Sequence, residues 1–182
     1  MNNRAIFYSD GSFSCDFNGA KDFLCHTGLS LDSNKKDAQV GPIYADFKFV
    51  KKYFSKIDYS YVGAYGWTKN PLVEFYIIDS WIGSDLKDWI SSRRVGNIDI
   101  HGSTYTVYEN VRNGTSINGP AVFKQYFSVR TSSRDCGSID ITAHFQQWEK
   151  FGLPIGNLHE VKIFSEISSS NRDAIIKDTK NK

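Results

Sequence analysis

What the sequence lacks narrows its chemistry before any motif is read. Cysteine occurs only three times in 182 residues, at Cys15, Cys25 and Cys136, and never with CxxC spacing. That spacing excludes the usual zinc and dithiol motifs, and the odd count leaves at least one thiol outside any internal bridge. Cys15 and Cys25 flank the turn-like segment 18–21, where a bridge and two free thiols both remain open. The four histidines, His26, His101, His144 and His159, show no HExxH or paired spacing, so neither a metal nor another cofactor is expected. Charge is nearly balanced, at 22 Lys+Arg against 20 Asp+Glu, with no block of basic residues. A nucleic-acid or anionic-membrane partner is therefore not expected, and a neutral polar ligand fits better. No apolar run approaches the ~18 residues of a membrane-spanning helix, and the first residues carry no charged-then-apolar leader. The chain reads as a soluble monomer; a leader removed ahead of Met1 would be compatible with secretion, the expected destination.

What is present is a β-rich pattern. Alternation of period two dominates, and turn pairs such as Asp10-Gly11, Asn70-Pro71, His101-Gly102, Asn113-Gly114 and Asn118-Gly119 recur at short intervals. Such spacing predicts a two-sheet antiparallel sandwich. One segment departs from it: Ile141, Phe145, Trp148 and Phe151 fall at helical spacing, with Asp140 or Thr142 to cap the start and Gly152 to end it. The expected architecture is all-β with a single helix, within one domain over residues 1–182. Residues 168–182 read as a polar end with at most a short edge strand around Ile175. Residues 81–97 read as a surface connection, with Trp89 as a local anchor.

The run Tyr65-Gly-Trp-Thr-Lys-Asn-Pro-Leu-Val-Glu-Phe-Tyr-Ile-Ile-Asp-Ser-Trp81 contains one carboxylate among rings and branched aliphatics. In a strand, Leu72, Glu74, Tyr76 and Ile78 face one way and Val73, Phe75 and Ile77 the other. The odd set suits a core between sheets. The even set should then line something that water reaches, because a carboxylate fully buried among apolar groups costs several kcal/mol or becomes protonated. Glu166 repeats the situation in the run Glu160–Glu166, sharing a face with Phe164. Two carboxylates beside aromatic rings suit glycoside hydrolysis, one attacking the anomeric carbon and one protonating the leaving oxygen.

Residues 65–81 closely resemble the nucleophile strand of glycoside hydrolase family eleven, the small retaining endo-1,4-β-xylanases. Further likenesses lie at 9–18, at 122–130, in the helix 142–153 and at 158–166, so the resemblance covers most of the chain. It implies a jelly-roll sandwich of two twisted antiparallel sheets, with a cleft on the concave sheet. It also implies that Glu74 is the nucleophile and Glu166 the general acid/base, with Asp22 beside Glu166 as in acid-adapted members. Tyr65 and Tyr76 match sugar-contacting tyrosines, and Arg112, Gln125 and Phe127 match cleft residues near the thumb hairpin. Thr115, Ser116 and Ile117 match the thumb tip, while Trp67, Trp81 and Trp148 are left to packing, as is His144. The implied activity is retaining hydrolysis of internal β-1,4-xylosidic bonds of xylan, with carboxyls roughly 5 to 5.5 Å apart. Two departures stand out. Thr115 replaces the usual thumb proline, and Ile167-Ser168-Ser169-Ser170 replaces the Gly-Tyr-containing segment after the acid/base. The alternative they raise is a non-catalytic polysaccharide-binding relative.

Overall fold

Short alternating segments divided by turns cannot each bury a face alone, and here they close into two sheets packed face to face. The computed structural model describes residues 3–19, 21–50, 53–83, 90, 93–170, 175–177 and 180–181. The outer sheet contains β1 (Arg4–Phe7), β2 (Phe13–Asn18), β4 (Tyr44–Val50), β5 (Tyr53–Ser55), β11 (Cys136–Asp140), β13 (Ile175–Lys177) and β14 (Lys180–Asn181). Its order is β11-β4-β14-β2-β13-β5, with β1 paired to β2. The inner sheet contains β3 (Phe23–Ser30), β6 (Tyr59–Lys69), β7 (Val73–Ile82), β8 (Arg93–Ile100), β9 (Ser103–Ser116), β10 (Gly119–Arg130) and β12 (Asn157–Ser168), in the order β3-β12-β6-β7-β10-β9-β8.

The odd residues of β7 do enter the core between the sheets. Val73, Phe75 and Ile77 pack there with Phe47 and Phe49 of β4, Ile139 of β11 and Tyr126 of β10. The same cluster takes in Ile141, Phe145 and Trp148 of helix α2 (Ile141–Lys150), with the Phe75 and Phe145 rings 5.0 Å apart and edge to face. Asp140 is the cap, accepting from Ala143 N at 2.9 Å, while Thr142 Oγ1 accepts from Ile43 N. Gly152, at φ 74°, ends the helix: its N–H donates to Glu149 O and that of Leu153 to Trp148 O, a paired closure that satisfies two terminal carbonyls. Deep in this layer Asp79 is held by Tyr105 and Arg134, and His144 Nδ1 meets Ser128 Oγ at 3.0 Å. Burial pushes His144 down to about 3.

Four details differ from the sequence reading. β7 and β10 pair in parallel, with Gln125 opposite Glu74, because β8 and β9 lie outboard and β10 returns in the direction of β7. Part of the segment 81–97 is strand β8, whose Ile98 and Ile100 are buried, while Trp89 lies outside the described residues. Asp37–Val40 forms a single helical turn, α1. Finally, β13 is no edge strand: it pairs with β2 on one side and β5 on the other. Cys15 and Cys25 form a disulfide joining β2 to β3, and so one sheet to the other, while Cys136 is free and exposed.

Candidate active site

Inward residues on β12, β6, β7 and β10 form a second apolar cluster on the far face of the inner sheet, containing Tyr59, Tyr61, Tyr65, Trp67, Tyr76, Phe127 and Phe164. The two glutamates rise from that aromatic floor. β6 lies between their strands: Glu74 of β7 sits opposite Trp67, and Glu166 of β12 opposite Tyr61. Strand order thus brings together two acids that are far apart in the chain. Both line one compartment of about 350 Å³, with Asp22, Leu24, Tyr65, Trp67, Tyr76, Arg112, Thr115, Ser116, Ile117 and Glu160.

Three donors converge on Glu74. Tyr65 and Tyr76 face each other across β6 and β7, and their hydroxyls donate to Oε1 at 3.2 and 3.1 Å. The parallel register sets Gln125 beside Oε2, to which its amide donates at 2.6 Å, while its oxygen accepts from Asn110. Burial raises the Glu74 carboxyl, and Gln125, Tyr76, Arg112 and Tyr65 oppose that rise. A carboxylate accepting three hydrogen bonds is equipped to stay ionised.

Glu166 has the opposite surroundings. It accepts from the Tyr59 hydroxyl at 3.3 Å, and its Oε2 is buried with no partner in ordinary hydrogen-bond geometry among the described residues. Burial first, then the neighbouring Asp22 charge, and then Glu74 push it up to about 8, against Tyr59 and Arg112. Asp22, in the turn before β3, is itself raised by burial, and it adjoins Glu166 closely enough to form a coupled pair. Asp22, more than Glu74, supplies the charge that raises Glu166.

Comparison with known proteins places the chain in a family. A sequence model described as "Glycosyl hydrolases family 11" matches residues 2–174. The chain belongs to that family. Similar relatives include endo-1,4-beta-xylanase A of Piromyces sp, 57% identical across 93% of this chain, and endo-1,4-beta-xylanase C of Fibrobacter succinogenes, 49% identical across 92%. This chain spans only 27% and 29% of those two relatives' lengths. A crystal structure of a cysteine variant of ENZbleach xylanase superposes with a TM-score of 0.84 at 31% identity, covering 97% of this chain and 71% of that one. The jelly-roll architecture of family 11 is therefore the fold of this chain.

The hairpin matched to the thumb by resemblance is β9–β10, closed by Ile117-Asn118 between Ser116 and Gly119. Ser116 Oγ donates to Gly119 O at 2.7 Å and accepts from Asn118 N at 3.1 Å, so the tip is cross-tied without the usual proline. Thr115, Ser116 and Ile117 all reach the compartment of the glutamates, and Arg112 lines both this compartment and a neighbouring one. Phe127 lies in the floor rather than on the cleft wall, fully buried and stacked on Tyr76 at 5.1 Å. Trp67, left to packing by the sequence, does both jobs: it packs on Phe123 and lines the cleft, donating to the Tyr65 hydroxyl at 2.5 Å.

Sequence reading missed Tyr59 and Glu160, which line the cleft, and Lys162 and His26 behind them. Lys162 Nζ donates to Ser30 Oγ at 2.8 Å and lies 3.9 Å from Glu160, and the His26 ring sits 5.6 Å from that of Tyr65. Parity along β12 from Glu166 could have found Glu160 and Lys162. No local signal marks Tyr59. Among the described residues, no three His, Cys, Asp or Glu side chains gather as a metal-binding group.

Proposed function

We propose that the chain is one catalytic domain that hydrolyses internal β-1,4-xylosidic bonds of xylan with retention of configuration. The observation that carries this reading is the contrast between two carboxyls in one cleft: Glu74 accepts three hydrogen bonds, while Glu166 is pushed up to about 8. One is set to be ionised and the other to hold a proton.

In the first displacement a Glu74 oxygen bonds to the anomeric carbon as that carbon's bond to the bridging oxygen breaks, and Glu166 gives its proton to that oxygen. The released sugar chain departs. Glu166, now a carboxylate, takes a proton from a water whose oxygen displaces Glu74 from the same carbon, restoring both groups. Neutralising Glu74 in the intermediate removes one of the charges that raised Glu166, which eases its switch from acid to base. The compartment lined by Glu74 receives the sugar that becomes covalently held. The adjoining one of about 400 Å³, lined by Glu166, Tyr59, Asn110, Asn113 and Gln125 but not Glu74, receives the leaving chain.

Secretion belongs to the same proposal, supported by the Cys15–Cys25 bridge, since disulfides persist in oxidising compartments. Reducing-sugar release from xylan, with carboxymethyl cellulose in parallel, tests the activity. Release from xylan that is lost in both Glu74→Gln and Glu166→Gln is the expected result. Binding of xylan without release would instead favour the non-catalytic alternative.

A further inference from the structure

The segment after Glu166 departs from the family pattern, yet the fold does not leave it loose. Ser168 Oγ bonds to Lys21 O, next to Asp22, and also interacts with the Tyr59 side chain. Ser169 Oγ donates to Lys56 O at 2.7 Å. The N–H and hydroxyl of Ser170 donate to the two Asp58 carboxylate oxygens at 2.9 and 3.1 Å, and Asp58 N–H donates back to Ser168 O at 2.9 Å. All these ties fall on the turn before β3 or on the segment leading into Tyr59. Tyr59 is buried, stacks on Tyr61 with centroids 4.5 Å apart, and directs its hydroxyl at Glu166 Oε1.

We infer that Tyr59, held by the serine run Ser168–Ser170, is a positioning residue for the proton donor: its directed hydrogen bond to Oε1 fixes the rotation of the Glu166 carboxyl within the cleft. The inference rests on the proton-donor reading of Glu166. An aromatic hydroxyl suits this task because it donates one directed hydrogen bond and its ring is fixed by stacking. Other groups facing Glu166 are Asp22 from the turn before β3, Glu74 and Tyr76 from β7, and Arg112 from β9. Among these neighbours Tyr59 makes the direct donor contact with Oε1 and sits on the same strand as the stacking partner that fixes it.

Tyr59→Phe removes the hydroxyl and keeps the ring. On a xylo-oligosaccharide, whose leaving alcohol needs a proton, kcat/KM should fall about 3- to 10-fold, a small part of what a general acid contributes. On a dinitrophenyl β-xylobioside, whose leaving group needs no proton, the loss should stay within about twofold. The alkaline limb of the oligosaccharide profile should move up by about half a pH unit, because the lost donor favoured the ionised carboxyl. Ser170→Ala should shift both readouts in the same direction by less. Equal losses on both substrates, or a limb that stays in place, would overturn the inference. A ¹³C titration of the Glu166 carboxyl in wild type and Tyr59→Phe separates this from failure of the hydrolase reading. If wild type splits neither substrate but Glu166 still titrates higher in the variant, the positioning contact stands and the activity does not; an unmoved titration rejects the contact.

Discussion

Replacing Gln125 by leucine should move the acid limb of catalysis, because Gln125 supplies the one donor that reaches Glu74 Oε2 among the described residues. The bond is short, at 2.6 Å, and the side chain is fully buried. Leucine fills similar space without a donor. A hydrogen bond to a charged acceptor contributes about 1.5 to 3 kcal/mol, and about 1.4 kcal/mol corresponds to one pH unit. The Glu74 pKa should therefore rise by about one to two pH units. The sign follows from which form is favoured: Gln125 donates to the ionised carboxylate, so its removal favours the protonated form, and ionisation of Glu74 then requires higher pH. The assay is the pH dependence of kcat/KM on xylohexaose, where the acid limb reports ionisation of the nucleophile in the free enzyme. The alkaline limb, governed by the Glu166 and Asp22 pair, should move much less. An acid limb that stays in place or moves down would refute the assignment of Glu74 as the group that must ionise.

Three further outcomes are expected. After burial, the Asp22 charge is the largest influence raising Glu166; Asp22→Asn removes it, so Glu166 should ionise at lower pH and the alkaline limb of the pH–rate profile should move down, and an unchanged or higher limb would argue against this. His144 is buried with its pKa pushed down to about 3, so its contribution to stability is complete above its ordinary 6.5 and is lost as pH falls toward 3. Urea unfolding of wild type should weaken across that window, by about 5 kcal/mol at most, and His144→Phe should flatten the slope; equal slopes would show that other groups govern acid sensitivity. Gly66→Ala would place a methyl 2.1 Å from Glu160 O and 2.5 Å from the Phe75 ring. Thermal unfolding should show a loss of about 3 kcal/mol from overpacking, and an unaltered Tm would mean that β6 and β12 part more easily than their ladder implies.

The nucleophile strand was legible because its two faces differ: the odd residues Val73, Phe75 and Ile77 are apolar, and the even ones carry Glu74 and Tyr76. The helix was legible for the same reason at a different period, together with its cap and its terminal glycine. β8 was not, since it opens on Arg93-Arg94 and its register shifts between Arg94 and Gly96, which breaks the alternation just where the strand begins. The parallel pairing of β7 with β10 leaves no trace in local alternation, which is the same for either direction. The two glutamates could be named from the strands that carry them, but their shared cleft depends on strand order. Tyr59 meets Glu166 across more than a hundred residues of chain, and neither neighbourhood betrays the contact.

β12 carries Glu166 and is hydrogen-bonded on both sides, to β3 and to β6. It is also the last long strand among the described residues, so its slot between those two ladders can be filled only after both neighbours have been made. A nascent polypeptide that has already shaped the Glu74 pocket therefore has no partner acid and cannot cut a polymer prematurely. Because an internal strand cannot peel away as an edge strand can, a finished molecule should lose its chemistry only when the whole inner sheet comes apart.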